Sequence, residues 1–181
     1  MLLGIGSGCA LSPQTVALTP FINVASHPVG RDRKLALEVV DMRPSPAFGT
    51  RGGVYDTAEI TPRANVAQVV RQALAERLTA SQFVVTAPNP GAPISMRVEI
   101  LGIFYTASGK PMITEVRAGA TVRAITRNGK RTLTSQYEAK SVRQTVGAPS
   151  EAENETILNE VLAQALQRMM QDNSIWELLA Q

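Results

Sequence analysis

Residues 118–139 read AGATVRAITRNGKRTLTSQYEA, two alternating segments on either side of an Asn-Gly pair. Asn128-Gly129 suits a two-residue type I′ turn, because both central positions of that turn need a positive φ. We therefore expect Arg127 to face Lys130 across the turn. In that register the apolar side chains share one face, and a slip of one residue would mix them with polar ones. The alternation thus predicts a well-specified antiparallel hairpin.

The predicted hairpin has one apolar and one polar face. The apolar face runs from Ala118 to Ala124 on the first strand and includes Tyr137 on the second. The polar face places Arg117 opposite Lys140, a mildly unfavourable like-charge pair. Its basic residues, together with those of the neighbouring strand, could dock an acidic partner or a glycan. Acidic residues interleave with them, however, and favour a solvated face of mixed charge. The basic set is Arg97, Arg117, Arg123 and Lys140, and the acidic set is Glu99, Glu115 and Glu138.

The rest of the sheet is predicted from short β-rich segments. Leu35–Asp41 reads as the first strand, and residues 83–85 as a second short one. From Ile94 to Ile100 apolar and polar residues alternate, as in a strand with one buried face. Gly102 interrupts this alternation and indicates a bulge or bend.

Three segments carry helix signals. Thr61-Pro62 predicts a helix start, because Thr can cap free amides and Pro fits the first helical position. The apolar stripe that follows ends near Ala80-Ser81. Residues 150–153, SEAE, form a capping box that starts a second helix running to about Gln171. A short terminal helix is predicted over Ile175–Leu179.

The order of these elements is strand, helix, strand, strand, hairpin, helix. It predicts an α+β fold, a two-layer sandwich with a mainly antiparallel sheet. Two amphipathic helices are expected on one face of that sheet, with the short C-terminal helix after them.

The composition of the chain argues against nucleic-acid binding and against a zinc site. The chain has 181 residues, a net charge of +3 and only 4% aromatic residues. Nucleic-acid binding favours clustered basic residues and aromatic platforms, so we expect no nucleic-acid partner. One histidine and one cysteine cannot supply the several ligands of a usual zinc site, so no metal is expected. No catalytic residue is predicted.

The single cysteine, Cys9, follows a short apolar leader and the small residues Gly6-Ser7-Gly8. This pattern is typical of a bacterial lipoprotein signal, so residues 1–9 are predicted to be a truncated signal that ends at an acylated cysteine. The leader lacks the usual basic n-region, which a start codon assigned too late or a trimmed chain would explain. The alternative is an ordinary N-terminus with a buried free cysteine.

The residues after Cys9 have the composition of a linker. Residues 10–30 are rich in Pro, Ser, Thr and Gly and carry no charged side chain, so we expect a flexible tether spanning on the order of 25 Å. A single α+β domain is expected over 31–181, a common domain size. Ala10 follows the cysteine where an Asp would retain a lipoprotein in the inner membrane, and this favours the outer membrane. The only histidine, His27, falls in the predicted tether.

Residues 168–179 read RMMQDNSIWELL. They resemble the closing segment of the YajG family of Gram-negative lipoproteins, where a long amphipathic helix ends in a Met-x-x-Asp-x-Ser-Ile-x-Glu-like run. The order of elements is similar across 31–181. The resemblance implies a periplasmic domain anchored in the outer membrane through lipid on Cys9, with no established enzymatic activity. It implies no cofactor beyond that lipid, and the expected partners are the membrane and an envelope protein or glycan.

Two alternatives remain open at this stage. Arg51, Gly52 and Gly53 lie in a glycine-rich loop that could cradle an anion, so the chain could be a soluble binding module for an anionic small molecule or glycan. Such a loop is more often a simple turn. A weaker alternative is a hydrolase that uses the carboxylates of Asp41 and Asp56.

Overall fold

The computed structural model describes residues 11–52, 57–110 and 112–181. Within these ranges eight strands form one strongly curled sheet, accompanied by three helices. The strands are β1 (Gln14–Val16), β2 (Lys34–Asp41), β3 (Gly49–Thr50), β4 (Glu59–Pro62), β5 (Val84–Thr86), β6 (Ile94–Lys110), β7 (Ile113–Asn128) and β8 (Arg131–Val146). The helices are α1 (Val66–Ala80), α2 (Glu151–Met170) and α3 (Asn173–Ala180).

The α+β class is confirmed, but the sheet is mixed and does not form a clear two-layer sandwich. Strand β2 pairs in parallel with both β5 and β6, and β1 pairs in parallel with β4. Only β3–β4, β6–β7 and β7–β8 are antiparallel. The expectation of a mainly antiparallel sheet is therefore wrong. The reason is helix α1, which carries the chain back to the end of the sheet where β2 began, so the next strand runs in the same direction.

The β7–β8 hairpin forms with the predicted faces but with a different register. Asn128 pairs with Arg131, so the turn residues are Gly129 and Lys130, and of these two only Gly129 has a positive φ. A glycine at the first central position suits a type II′ turn rather than the predicted type I′ turn. The pairing differs from the predicted one by two residues, and a shift of two leaves every side chain on its face.

The new register also changes the cross-strand neighbours. Arg117 pairs with Val142, and Lys140 pairs with Gly119, so the predicted like-charge pair does not form. The inward side chains of β7 are buried as expected; they are Val116, Ala118, Ala120, Val122 and Ala124. We call the opposite side of β6, β7 and β8 the outer face. It carries Thr121, Arg123, Gln136 and Glu138.

Strand β6 changes partners along its length, at the predicted irregularity. The register between β6 and β7 shifts between Ile100 and Gly102, which confirms the bulge. Before the bulge β6 pairs with β2, and after it Tyr105 and Thr106 pair with β3. The bulge therefore lets one long strand join two groups of shorter strands, which curls the sheet.

Helix α2 begins as predicted, whereas the other two helices begin elsewhere. The reciprocal capping box of Ser150 and Glu153 is present. Thr61-Pro62, predicted to start a helix, ends strand β4 instead, and the side chain of Asn65 caps α1. Helix α3 is capped by Asp172. In both cases several nearby residues can cap a helix. At α1 the pairing of Thr61 and Pro62 with β1 leaves Asn65 as the cap.

Most of the N-terminal segment packs against the domain. Val16, Leu18 and Ile22 are 0–5% exposed and belong to the hydrophobic core. The His27 ring stacks on Trp176 of α3 with 4.6 Å between ring centroids. The flexible tether predicted over 10–30 is therefore wrong for residues 14–30. Burial of three aliphatic side chains outweighs the low charge and the turn-forming residues on which the prediction rested.

Candidate functional site

The two ends of the β7–β8 hairpin differ in their surroundings. We call the end that carries Gly129 and Lys130 the turn end, and the opposite end, formed by Met112, Ile113 and Val146, the tip. At the turn end α3 covers the sheet, with Asn128 Nδ2 donating to the carbonyl of Leu178 at 3.0 Å. At the tip β7 begins and β8 ends with exposed apolar side chains, those of Ile113 and Val146.

A groove of about 490 Å³ lies on the outer face at the turn end. Its floor is the outer side of β2, β6 and β7, including Ala36, Ser95 and Ile125. Its wall is the loop over residues 87–93, which brings Pro88 and Pro90 over the sheet. A second groove of about 510 Å³ lies on the other side of the same loop. These concavities have the volume of small-ligand sites.

Arg127 holds the loop in place. Its Nη2 donates to the carbonyl of Pro90 at 2.9 Å and to that of Ala92 at 2.7 Å. Gly129 N donates to the carbonyl of Pro93 at 2.8 Å. The groove is therefore built by contacts from the hairpin to the loop, and its wall is anchored along residues 90–93.

A carboxylate lies buried in the outer face beside the groove. Glu99 is 5% exposed and accepts from Arg97 Nε at 3.0 Å and from Arg123 Nε at 2.7 Å. The hydrogen bonds from Arg123, and secondarily those from Arg97, hold the pKa of Glu99 below its ordinary value. Arg97 also pairs with Glu38 at 2.8 Å. The outer face at the groove thus carries a fixed alternation of charges, of which Glu38 and Arg97 line the groove.

The other two cations of the predicted basic set are also paired with glutamates. Arg117 bonds Glu115 at 2.6 Å, and Lys140 bonds Glu138 at 2.8 Å. Each cation of the predicted basic set therefore has a glutamate partner on the outer face. This arrangement fits a solvated face of mixed charge better than a positive docking surface.

Arg51, predicted as an anion ligand, lies between the N-terminal segment and the start of α2. Its Nη1 donates to the carbonyl of Ser12 at 2.9 Å, and its Nη2 donates to that of Pro149 at 3.1 Å. The Gln14 amide, turned so that its oxygen faces donors, accepts from Arg51 Nη2 and Nε, both at 3.1 Å, and from Glu151 N at 3.2 Å. Arg51 therefore clamps two parts of the chain that are distant in sequence.

The clamp continues into the interior. The side-chain amides of Gln14 and Asn154 meet at 2.7 Å, and Asn154 is 0% exposed. Tyr105 lies below them, where burial raises the pKa of its hydroxyl to about 12 although Arg51 acts in the opposite direction. Gly52 has a φ of +73°, and a Cβ there would lie 2.2 Å from the carbonyl oxygen of Ala107. Glycine is therefore required for this loop to lie against β6.

The other predicted site residues are only partly brought together. Cys9, Gly53 and Asp56 lie outside the described residues. Asp41 forms a two-bond pair with Arg43, at 2.8 and 2.7 Å. Burial raises the pKa of Asp41, but these bonds outweigh burial and lower it. The anion-binding prediction for Arg51, Gly52 and Gly53 stays a prediction, with most Arg51 donors already engaged.

Sequence reasoning missed both the groove and the clamp. Arg51 bonds atoms 39 and 98 residues away, and no local pattern encodes such partners. The N-terminal segment did leave a signal in the sequence, since the apolar residues Val16, Leu18 and Ile22 share the two-residue period of a strand face, and all three are buried. Among the described residues there is no cluster of three or more His, Cys, Asp or Glu that could hold a metal ion.

The profile of one protein family, described as an uncharacterised lipoprotein, matches residues 20–180. The chain belongs to this family, the YajG family. The match begins before the predicted domain boundary at residue 31, in agreement with the packing of the N-terminal segment. No curated protein matches the chain at a significant level.

Solved structures share the fold at low sequence identity. A Xanthomonas campestris protein of the DUF330 family is 10% identical with a TM-score of 0.52, covering 92% of this chain and 95% of that one. A Helicobacter pylori protein described as a neuraminyllactose-binding hemagglutinin homologue is 10% identical with a TM-score of 0.51, covering 88% of this chain and 92% of that one. At this identity the likeness concerns the fold alone.

Proposed function

We propose that this lipoprotein is a non-enzymatic binding or scaffolding protein at the periplasmic face of the outer membrane, held there by lipid on Cys9. The observation that carries the proposal is the family match over 20–180, joined to a single cysteine behind small residues. Ala10 in place of an Asp supports sorting to the outer membrane. Within the described part of the chain, no helix is long and apolar enough to cross the bilayer.

The fold supports this proposal through the distance between its two ends. Arg51 ties Ser12, three residues after Cys9, to Pro149 near the tip. The groove lies at the turn end, and strand β8, about 50 Å long, runs from the turn end to the tip. A protein anchored near the tip would present the groove to the periplasm, where an envelope partner can reach it.

The anchor is tested by fractionation of full-length protein and its Cys9→Ser variant. We expect the parent chain in the outer-membrane fraction and the detergent phase, and the variant in the aqueous phase. A parent chain that stays aqueous would refute the anchor. An inner-membrane location would refute only the proposed sorting.

The groove is tested with a photo-crosslinker at Thr132, which lines it, and a matched crosslinker at the exposed outer-face position Gln136. We expect a discrete adduct at Thr132 in intact cells and its loss when Ser95→Trp fills the groove floor. Equal labelling at both positions, or an adduct unaffected by Ser95→Trp, contradicts a binding role for the groove.

A further inference from the structure

Apolar side chains are exposed at the tip and on the adjoining part of the outer face. Ile113 and Val146 are cross-strand neighbours, 55% and 94% exposed. Val142 is 63% exposed on the same face of β8, and Met112 is 77% exposed beside Ile113. We call these four side chains the tip patch. Exposed apolar surface is often found where a protein meets a partner or a membrane, so the tip patch is a candidate contact surface.

The chain places the predicted anchor beside this patch. Ser12 is held to Pro149 through Arg51, and Gly147 N bonds the carbonyl of Met112 at 3.4 Å. Three residue steps separate Ser12 from Cys9, so chain connectivity keeps the Cα atoms of the two residues within roughly 11 Å of each other. The segment between Cys9 and Ser12 is therefore too short for a lipid on Cys9 to reach the turn end.

The strand register independently shows that the chain before Gln14 runs toward the tip. Gln14 pairs with Ile60, Ile60 with Gly49, and Gly49 with Tyr105, so Gln14 is level with Tyr105 along the sheet. Strand β1 is parallel to β4, β4 is antiparallel to β3, and β3 is parallel to β6, so β1 runs opposite to β6. Going back from Gln14 toward Cys9 is thus the direction in which β6 runs to the tip.

The charged side chains that the structure describes beside the patch include two ion pairs. Glu115 pairs with Arg117 on the outer face, and Arg143 pairs with Glu160 of α2. Among the side chains that the structure describes there, no strong field of one sign therefore opposes an approach to lipid headgroups. Contact with the bilayer would also remove apolar surface from water.

From this geometry we infer that the tip patch rests on the bilayer that carries the anchor, so that the β7–β8 hairpin stands away from the membrane. The inference deepens the proposed function and depends on the lipid at Cys9. The patch is small, so it contacts lipid only when the anchor holds it at the surface, where its effective concentration is high. Acyl chains and tip patch together set the orientation of the groove.

The test uses the full-length lipidated protein in vesicles of phosphatidylethanolamine and phosphatidylglycerol. Acylation blocks Cys9, so Val146→Cys provides a single free thiol for an environment-sensitive fluorophore. Lys130→Cys, in the exposed turn at the other end of the hairpin, is the matched control. Intact mass establishes that each variant carries lipid, and a chain without lipid would refute the anchor rather than the orientation.

We expect a blue-shifted emission at Val146→Cys, quenching by nitroxide-labelled lipid, and severalfold weaker quenching by aqueous iodide than at Lys130→Cys. Equal iodide quenching at the two positions in lipidated, vesicle-bound protein would overturn the inference while leaving the anchor intact. A blue shift that nitroxide lipid does not quench and that grows with protein density would also overturn it, because a second copy would then cover the patch. Changing Ile113 and Val142 to Thr should make a probe at 146 more accessible to iodide without releasing the protein from vesicles.

Discussion

The two ends of the β7–β8 hairpin contain similar strands but differ in what covers them. At the turn end α3 packs on the sheet, Trp176 is 4% exposed, and its Nε1 donates to the carbonyl of Met170 at 2.7 Å. At the tip Met112 and Val146 are 77% and 94% exposed. The turn end is thus closed by the chain itself, whereas the tip exposes apolar surface next to the predicted anchor. The buried contacts of α3 and the proposed membrane attachment therefore lie at opposite ends of one hairpin.

The largest effect on stability is expected from Trp176→Ala at the turn end. Removing this buried ring leaves a cavity and frees His27, which should lower the free energy of unfolding by about 3–5 kcal/mol. Urea unfolding followed by circular dichroism measures the change. Met112→Ala at the tip is the matched control, with an expected change below about 0.5 kcal/mol. Similar losses in both variants would contradict the division of roles between the ends.

Arg51→Ala should have the next largest effect, since it opens the clamp near the tip. The carbonyls of Ser12 and Pro149 and the Gln14 amide lose a charged donor, which should cost about 2 kcal/mol. Limited proteolysis should then cut within residues 11–30 before the rest of the chain. Arg43→Ala, which removes an arginine paired with Asp41 in the preceding loop, serves as the control and should leave that cleavage unchanged. A phosphate-dependent rise in Tm that Arg51→Ala abolishes would instead favour the anion-binding prediction.

Glu99 should make the turn end sensitive to acid. Its folded-state pKa lies below the ordinary value of 4.5, because Arg123 and Arg97 bond the charged form. Its contribution to stability is therefore complete above the unfolded-state pKa and is lost as the pH falls through the folded-state pKa. Unfolding at a series of pH values from 7 downward should show the parent chain losing its advantage over Glu99→Gln below about 4.5. If the difference in unfolding free energy between the parent chain and Glu99→Gln did not change with pH, the charge of Glu99 would not be the cause of its contribution to stability.

The smallest effect on stability is expected at the tip patch itself. Val146→Thr keeps the branched shape of an exposed side chain on an edge strand, so the free energy of unfolding should change by less than about 0.5 kcal/mol. Thermal unfolding measures it, and Ala139→Thr, at a buried position on the same strand, provides the contrast. A large loss in Val146→Thr would mean that the folded chain already buries this residue.

Local patterns predicted some elements well because their causes are local. The capping box at Ser150 depends on four consecutive residues, and it starts α2 in the structure as it does in the sequence. The faces of the β7–β8 hairpin follow from a two-residue period, which survives the shift from the predicted register. The turn type does not follow, because Gly129 can occupy either central position of a two-residue turn.

Other elements could not be predicted because their partners are distant. Thr61-Pro62 looks like a helix start, yet pairing with β1 makes it the end of a strand. Arg51 looks like a loop cation free to bind an anion, yet its partners come from residues 12, 14 and 149. The composition of residues 10–30 favours a tether, yet Val16, Leu18 and Ile22 enter a core assembled by the rest of the chain.

The sequence by itself determined the α+β class, the two faces of the long hairpin, the start of α2 and the candidate acylation site at Cys9. These depend on residue type and short-range periodicity, which act before any tertiary contact forms. Only the tertiary structure decided the parallel pairing of β2 with β5 and β6, the packing of residues 14–30, the groove at the turn end and the position of Ser12 near the tip. Those features arise from contacts between residues far apart in the chain, where burial and hydrogen bonding outweigh local preference.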